Sequence, residues 1–174
     1  MILGLDISTS ITGVTILDEN ENILCCEAWD LRRYKNIFEK TREVQRRLRE
    51  LKVVYPSVEH VFIEQSLQSF RPGFSSAKTL LTLARFNGIV SWLVCETLYI
   101  TPEYIGASSA RKLCGIKVPR GQKAKKVVLE FLLDNEDNFE IEYTKHGNPK
   151  PESYDRADSL VIARAGYYLC KKKN

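Results

Sequence analysis

Four acidic residues lie beside apolar segments that a folded chain would bury. Asp6 and Glu64 each end a short apolar run, and Asp155 and Asp158 stand three residues apart just before the apolar stretch 159–163. A buried carboxylate without a partner costs several kcal/mol, so each of the four needs a cationic partner or a metal ion. Carboxylates at strand ends that converge with a pair on one helix indicate a magnesium-dependent nuclease.

Hydrolysis of a phosphodiester needs an activated water and stabilisation of the charge on the attacking and leaving oxygens. Two Mg²⁺ ions roughly 3.5–4 Å apart supply both, and Mn²⁺ is the alternative metal. Because magnesium takes oxygen ligands and keeps several waters, four carboxylates suffice to hold the pair. Asp6 is the candidate bridging ligand, and Glu64 would reach from the neighbouring strand. Asp155 and Asp158 share one helical face, because they are spaced i and i+3.

Three of these acids also have an ordinary structural interpretation. Asp6 could form a turn or cap a helix, and Glu64 could pair with a lysine or an arginine. Asp155 stands near the start of its predicted helix and could be the N-cap. The four assignments are linked, since the loss of one ligand would weaken the case for the others.

Apolar patterns predict the elements that must position the acids. Nearly continuous apolar runs rich in β-branched residues predict strands. The predicted strands are residues 2–7, 12–17, 23–29, 58–64 and 99–105. The predicted helices are residues 34–54, 75–98, 108–114, 121–133 and 153–172. We therefore expect a single α/β domain over residues 1–174, with the first three strands antiparallel and a polar loop at 134–152.

The predicted helix 75–98 is apolar around most of its circumference, which indicates burial on more than one side. One side can lie on the sheet and another can meet a second subunit. The alternative is a helix buried entirely within one chain. Gly88, in the middle of this helix, costs about 1 kcal/mol relative to alanine and therefore indicates close packing at that point.

Composition narrows the class of protein. Apolar residues make up 44% and charged residues 28% of the 174 residues, which is ordinary for a globular protein. No segment approaches the roughly 18 consecutive apolar residues that a membrane span needs, and the first residues lack a secretory signal. We expect a cytoplasmic protein, in the host cytoplasm if the source is a virus, or a nucleoplasmic one in a cell with a nucleus. The five cysteines show no zinc-binding or disulfide spacing and are expected to be reduced.

Basic residues cluster along the chain, whose formal net charge is +4. Residues 32–52 hold nine Lys or Arg against three Glu, and residues 106–129 hold seven Lys or Arg and no acid. Clustered positive charge favours a polyanionic partner such as nucleic acid. The alternative for the first cluster is a solvated helix face, whereas the second cluster has no local counter-charge.

Three motifs, in the order of the predicted elements, resemble those of the RuvC-type Holliday junction resolvases of the ribonuclease H-like superfamily. Residues 4–13 (GLDISTSITG) resemble that family's opening Gly-x-Asp-x-Ser/Thr-x-x-x-Gly. Residues 62–65 (FIEQ) resemble its strand ending in Glu, and residues 154–163 (YDRADSLVIA) its closing helix with Asp-x-x-Asp. The resemblance is divergent, as in a viral or phage protein. It implies a ribonuclease H-like fold, with a five-stranded mixed sheet and helices on both faces.

The resemblance also implies an activity, that of a metal-dependent endonuclease that nicks opposing strands of four-way DNA junctions. Such a junction has two-fold pseudo-symmetry, so a homodimer formed through the helix 75–98 would present two active sites to it. The family has catalytically important lysines in the region of the second basic cluster. Lys123 and Lys112 are the candidates here, although the spacing does not align cleanly.

DNA contacts are expected from the second basic cluster and from one loop. The further cations expected to contact backbone phosphates are Arg111, Lys112, Lys117, Arg120, Lys125 and Lys126. The family uses an aromatic soon after the second-motif Glu to stack at the junction centre, but the third residue after Glu64 is Leu67. Phe70 or Phe74, in the same loop as Arg71, could take that role or could instead point into the core.

Other functions compete with this one. A ribonuclease H-like nuclease acting on other branched DNA or on RNA would use the same four acids. A non-catalytic nucleic-acid-binding dimer would leave those acids without a purpose. A sugar-kinase or actin-like ATPase opens with a similar strand and turn, but it needs two such domains, for which 174 residues are too few.

Overall fold

A mixed sheet of five strands lies at the centre of the computed structural model, which describes residues 1–65 and 77–173. The strands are β1 (Ile2–Asp6), β2 (Ile11–Leu17), β3 (Ile23–Asp30), β4 (His60–Glu64) and β5 (Glu103–Ile105). Their order across the sheet is β3-β2-β1-β4-β5. β1, β2 and β3 pair antiparallel, whereas β4 runs parallel to both β1 and β5. The predicted five-stranded mixed sheet is confirmed.

Helices cover both faces of this sheet, as predicted. They are α1 (Ile37–Val54), α2 (Ala77–Leu98), α3 (Ala107–Leu113), α4 (Ala124–Asn135) and α5 (Pro151–Lys173). Alternate residues of β1 divide the core between the two faces. Leu3 and Leu5 pack with α1 and α2, whereas Ile2 packs with α3, α4 and α5. None of the described helices combines the length and hydrophobicity needed to cross a membrane.

Several element boundaries differ from the prediction for local reasons. α1 begins later because Asn36 caps it, its side chain accepting hydrogen bonds from two N–H groups of the first turn. β5 is shorter, since Tyr99 has a left-handed φ of 63° that a strand cannot continue through. α4 begins after Gly121, whose φ is 87°. α5 begins earlier, at Pro151, because proline suits the first position of a helix.

The helix α5 crosses the sheet at close range, because glycines in the strands leave room for its backbone. A Cβ added to Gly13 would overlap the carbonyl oxygen of Asp155. A Cβ added to Gly4 would lie 2.5 Å from the backbone nitrogen of Ala163. A side chain at either position would therefore push the helix off the sheet.

Hydrogen bonds hold α5 in this position. The buried hydroxyls of Thr15 and Ser159 lie 2.8 Å apart, joining β2 to the helix. The guanidinium of Arg156 donates from Nε to the carbonyl oxygen of Cys26 at 2.9 Å. Because these bonds connect two strands to one side of the helix, they restrain its rotation. That rotation decides where the two aspartates of α5 point.

Replacing Gly13 with alanine should destabilise the fold and displace Asp155. The added methyl group meets a backbone carbonyl, so the helix must move, at a cost of about 3 kcal/mol in the free energy of unfolding. Chemical denaturation measures that cost. Gly106→Ala is the matched control, because its nearest heavy atom, Oε1 of Gln65, lies 4.0 Å from the added Cβ. Equal free energies of unfolding for the two variants would contradict the close approach.

Candidate active site

Two carboxylates meet at one edge of the sheet, where neighbouring parallel strands end. β1 and β4 pair with Leu5 opposite Ile63, so Asp6 and Glu64 follow on adjacent strands at the same edge. Strands paired in this way lie about 4.8 Å apart. The side-chain amide of Asn87 on α2 donates to the carbonyl oxygen of Glu64 at 3.3 Å. This bond ties α2 to the edge that carries both acids.

The two aspartates of α5 lie at the same edge. Gly13 pairs with Asp6 across β1 and β2, and the backbone of Asp155 packs on that same glycine. The side chains of Asp155 and Asp158 are only 14% and 13% exposed. Asp155 lies inside α5, which begins at Pro151, so it is not the N-cap of the helix. The four predicted carboxylates therefore form one group, which we call the acid cluster.

A lysine from α4 contacts the acid cluster. Nζ of Lys125 lies 3.1 Å from Oδ2 of Asp158 and 3.5 Å from Oδ1 of Asp155. Burial alone would lower the pKa of Lys125, but the negative charges of Asp158, Asp6 and Asp155 outweigh it and raise the pKa above its ordinary value of 10.5. Lys125 is therefore charged at neutral pH and offsets part of the negative charge of the cluster. The sequence had placed it only among the phosphate-binding cations.

Burial and mutual repulsion raise the pKa of the carboxyl groups. Burial raises the pKa of Asp6 well above its ordinary 3.8, and the charges of Glu64 and Asp158 raise it further. Burial and then the charge of Asp158 raise the pKa of Glu64 to about 7. Burial also raises the pKa values of Asp155 and Asp158, against the opposing positive charge of Lys125. Groups that repel one another in this way attract cations.

The acid cluster opens onto a cleft of about 240 Å³, which we call the acid cleft. Its lining consists of Asp6, Ile7, Ser8, Glu64, Leu80, Leu83, Asn87, Lys125 and Asp155. As the side chains stand, no three His, Cys, Asp or Glu residues of the described chain lie close enough to hold one ion. Carboxylate oxygens are nevertheless the ligands that Mg²⁺ and Mn²⁺ prefer. The chemistry of the four donors therefore fits a divalent metal, although the side chains would have to move closer together to hold one.

Three of the predicted DNA-binding cations line another cleft close to the acid cluster. Arg111, Lys112 and Lys117 surround a volume of about 310 Å³ beside α3. Burial raises the pKa values of Glu64 and Asp158, and the positive charge of Arg111 is among the influences that oppose it. Arg111 therefore lies near enough to the acids to affect their ionisation.

The other predicted site residues are less closely tied to the acids. Arg120 is exposed in the loop before α4, and Nζ of Lys126 lies 3.5 Å from Oε1 of Glu130. Lys123, the candidate catalytic lysine, is exposed at the N-cap of α4. Its side chain forms no ion pair with an acid of residues 1–65 or 77–173, and its catalytic role stays a prediction. Three predicted site residues lie outside the described residues, namely Phe70, Arg71 and Phe74.

The acid cluster should make folding stability fall as the pH rises. Folded Glu64 keeps its proton up to about pH 7, whereas an unfolded glutamate loses it near the ordinary value of 4.5. The folded state binds more protons between these values, so the free energy of unfolding declines through that window and levels off above it. Thermal unfolding at a series of pH values measures the decline.

Divalent cations should restore the folding stability that is lost as the pH rises. At about pH 8, Mg²⁺ or Mn²⁺ should raise the Tm, because an ion that binds only the folded state stabilises it. Glu64→Gln should show a smaller decline with pH, whereas Glu59→Gln, at an exposed position, should match the unaltered protein. Stability that rises steadily from pH 4.5 to 7 and ignores divalent cations would contradict the repulsion described above.

Three solved Holliday junction resolvases share this fold. RuvC of Thermus thermophilus, in complex with a Holliday junction substrate, matches with a TM-score of 0.67 at 16% identity, over 98% of this chain and 94% of that chain. The yeast mitochondrial resolvase Ydc2 matches with a TM-score of 0.59 at 14% identity, over 99% of this chain and 84% of that chain. Fowlpox virus resolvase, in complex with substrate Holliday junction DNA, matches with a TM-score of 0.52 at 14% identity, over 97% of this chain and 97% of that chain.

These proteins resemble the chain in fold but only weakly in sequence. No protein-family model matches the sequence, and no curated protein matches it either. The low identities agree with the divergence of the motifs. The expected ribonuclease H-like fold of the RuvC-type resolvases is confirmed for this chain.

Proposed function

We propose that the protein is a divalent-metal-dependent endonuclease that nicks opposing strands of four-way DNA junctions. The observation that carries this proposal is the acid cluster, four carboxylates with raised pKa values gathered at one edge of a ribonuclease H-like sheet. The three structural neighbours described above are Holliday junction resolvases, and two of them were solved with junction DNA. This supports branched DNA as the substrate.

The acid cluster would hold two Mg²⁺ ions, or Mn²⁺ in their place. When bound, such ions supply the positive charge that activates a water and stabilises the leaving oxygen of a phosphodiester. Asp6 and Glu64 would ionise fully at that stage, because the added positive charge offsets the repulsion that raises their pKa values. Lys125 would then release the two aspartates and donate to a phosphate oxygen. Lys123, two residues earlier, stays the catalytic lysine predicted from the sequence, with Lys112 as the other candidate.

Cations around the acid cluster would hold the backbone of the junction. Charge-assisted hydrogen bonds to phosphate position a nucleic acid without reading its sequence. The residues proposed for this role are Arg111, Lys112, Lys117, Arg120, Lys125 and Lys126. Phe70 or Phe74, close to Arg71 in the sequence, stays the proposed aromatic that stacks at the junction centre.

Helix α2 presents a face away from the sheet that carries exposed apolar residues beside Arg85, and we assign this face to a homodimer. Its other face packs in the core, but Leu81 and Trp92 are 67% and 58% exposed. Gly88 lies on the same helical face as these two residues, and a Cβ added there would meet no atom of residues 1–65 or 77–173 within 4 Å. The close packing expected at Gly88 is thus not made by the described part of the chain. A second α2 helix could approach closely there, giving the two-fold symmetry that a junction matches.

Asp6→Asn should abolish Mg²⁺-dependent cleavage of a synthetic four-way junction while junction binding persists. The change removes one carboxylate charge and keeps the size of the side chain. Because it also removes repulsion within the acid cluster, the variant should have a higher Tm than the unaltered protein, which separates lost chemistry from a lost fold. Denaturing gels with each strand labelled in turn show which strands are cut.

The control for this experiment is Asp134→Asn, which makes the same charge change at an exposed position and should cut normally. Robust cleavage by Asp6→Asn would contradict the assignment of the metal site. Equal cutting of junction, duplex, flap and RNA–DNA hybrid by the unaltered protein would instead favour a less selective nuclease of the same fold.

Trp92→Glu should convert the dimer into a monomer, because it places a charge in the centre of the apolar face of α2. Sedimentation velocity measures the oligomeric state. Val54→Glu is the matched control, since Val54 is similarly exposed at 65% but lies on α1, and it should leave the dimer intact. A monomeric unaltered protein at micromolar concentration would contradict the assignment.

A further inference from the structure

A third cleft adjoins the acid cleft on the side of α4 and α5, and we call it the lysine cleft. Its volume is about 560 Å³, within the range of sites that hold small organic groups. The residues that line it are Lys123, Lys125, Lys126, Pro149, Pro151, Tyr154 and Asp155. Lys125 and Asp155 also line the acid cleft. The two clefts are therefore neighbours that share a wall.

One side of the lysine cleft is formed by a hairpin within the segment that the sequence predicted to be a polar loop. Tyr143 and Pro149 pair in an antiparallel bridge. The N–H of Thr144 donates to the carbonyl oxygen of Asn148 at 2.7 Å. The hairpin runs directly into the first turn of α5. This side of the cleft is thus positioned relative to the acid cluster by the same helix that carries the aspartates.

The opposite side carries ammonium groups from the start of α4. Lys125 is engaged by the aspartates, but Lys123 forms no ion pair with an acid in the described part of the chain. Lys126 contacts Glu130 at 3.5 Å, and the two side chains are 69% and 56% exposed, so this pair contributes little. Positive charge with so little local compensation favours an anionic occupant.

Besides the lysines and Asp155, whose carboxylate contacts Lys125, the lining consists of one aromatic ring and two prolines. Tyr154 is half-buried and packs against the core, which restrains its ring, and Pro149 and Pro151 lie beside it in the lining. An aromatic ring next to lysines is the combination with which proteins hold unpaired nucleotides, since bases stack on the ring and phosphates contact the cations.

We propose that the lysine cleft holds the DNA strand on one side of the phosphodiester to be cut. Lys123 and Lys126 contact its phosphates, and an unpaired base stacks on Tyr154. This inference rests on the proposed nuclease function and specifies the form of its substrate. A base can stack on the ring only where it has left the duplex, as at the branch point of a junction.

The test measures the affinity of Asp6→Asn protein for a fluorescent four-way junction over a range of salt concentrations. The plot of log affinity against log salt has a negative slope. Adding Lys123→Ala and Lys126→Ala should make this slope less steep by about 1.5, because each phosphate contact contributes roughly 0.7–0.9 to its magnitude. Adding Tyr154→Leu instead should weaken binding about tenfold with the slope unchanged, the effect expected when one stacked base is lost. Tyr154→Phe keeps the ring and should keep the affinity.

Matched controls separate these effects from general losses. Lys171→Ala with Lys172→Ala removes the same charge about 24 Å along α5 from Asp155 and should leave the salt slope unchanged. Tyr143→Leu alters a tyrosine that is 56% exposed and lies outside the cleft lining, and it should bind normally.

Cleavage by the protein without substitutions is measured alongside. If that protein neither binds nor cuts junctions, the proposed function fails and the cleft assignment with it. If it cuts junctions while the lysine pair and Tyr154→Leu variants bind like their controls, the cleft assignment alone is overturned. The lysine pair lies on the surface, so this outcome can be read even if Tyr154→Leu misfolds.

Discussion

The approach of α5 to the sheet at Gly4 and Gly13 is the constraint on which the rest of the structure depends. Neither glycine has a Cβ, so the helix backbone can lie directly on β1 and β2. The buried hydroxyls of Thr15 and Ser159, 2.8 Å apart, restrain the helix against rotation. This contact brings two aspartates from the last helix to an edge formed by the first and fourth strands. The candidate active site is therefore a consequence of backbone packing within the core.

Gathering four carboxylates at this edge lowers the stability of the fold. Burial and repulsion raise the pKa of Asp6, and they raise that of Glu64 to about 7. Lys125 offsets part of the charge by contacting both aspartates of α5. Natural proteins accept such local conflicts mainly at functional sites. Such repulsion favours the binding of cations, and under the proposed function these are the divalent metal ions of the active site, with a phosphate backbone held by the basic residues around it.

The fold and the gathering of the four acids at one edge of the sheet could be predicted because each depended on a local signal, a strand ending in an acid or a pair spaced i and i+3. Lys125 could not be assigned to the cluster, since its contact with Asp155 joins residues 30 positions apart and depends on how α4 lies beside α5. The hairpin at residues 142–150 could not be predicted from hydrophobic periodicity, because main-chain hydrogen bonds rather than a repeating pattern of apolar side chains hold it together. For α2, the hydrophobicity of the sequence predicts that the helix is buried on more than one side. It does not distinguish burial within one chain from burial against a second subunit.

The most direct test of the metal centre is the anomalous difference map of a crystal grown with Mn²⁺. Our account predicts two peaks among Asp6, Glu64, Asp155 and Asp158, roughly 3.5–4 Å apart, with the Lys125 ammonium moved away from the aspartates. A map at saturating Mn²⁺ that shows no peak at the acid cluster, and Lys125 still in contact with both aspartates, would contradict it.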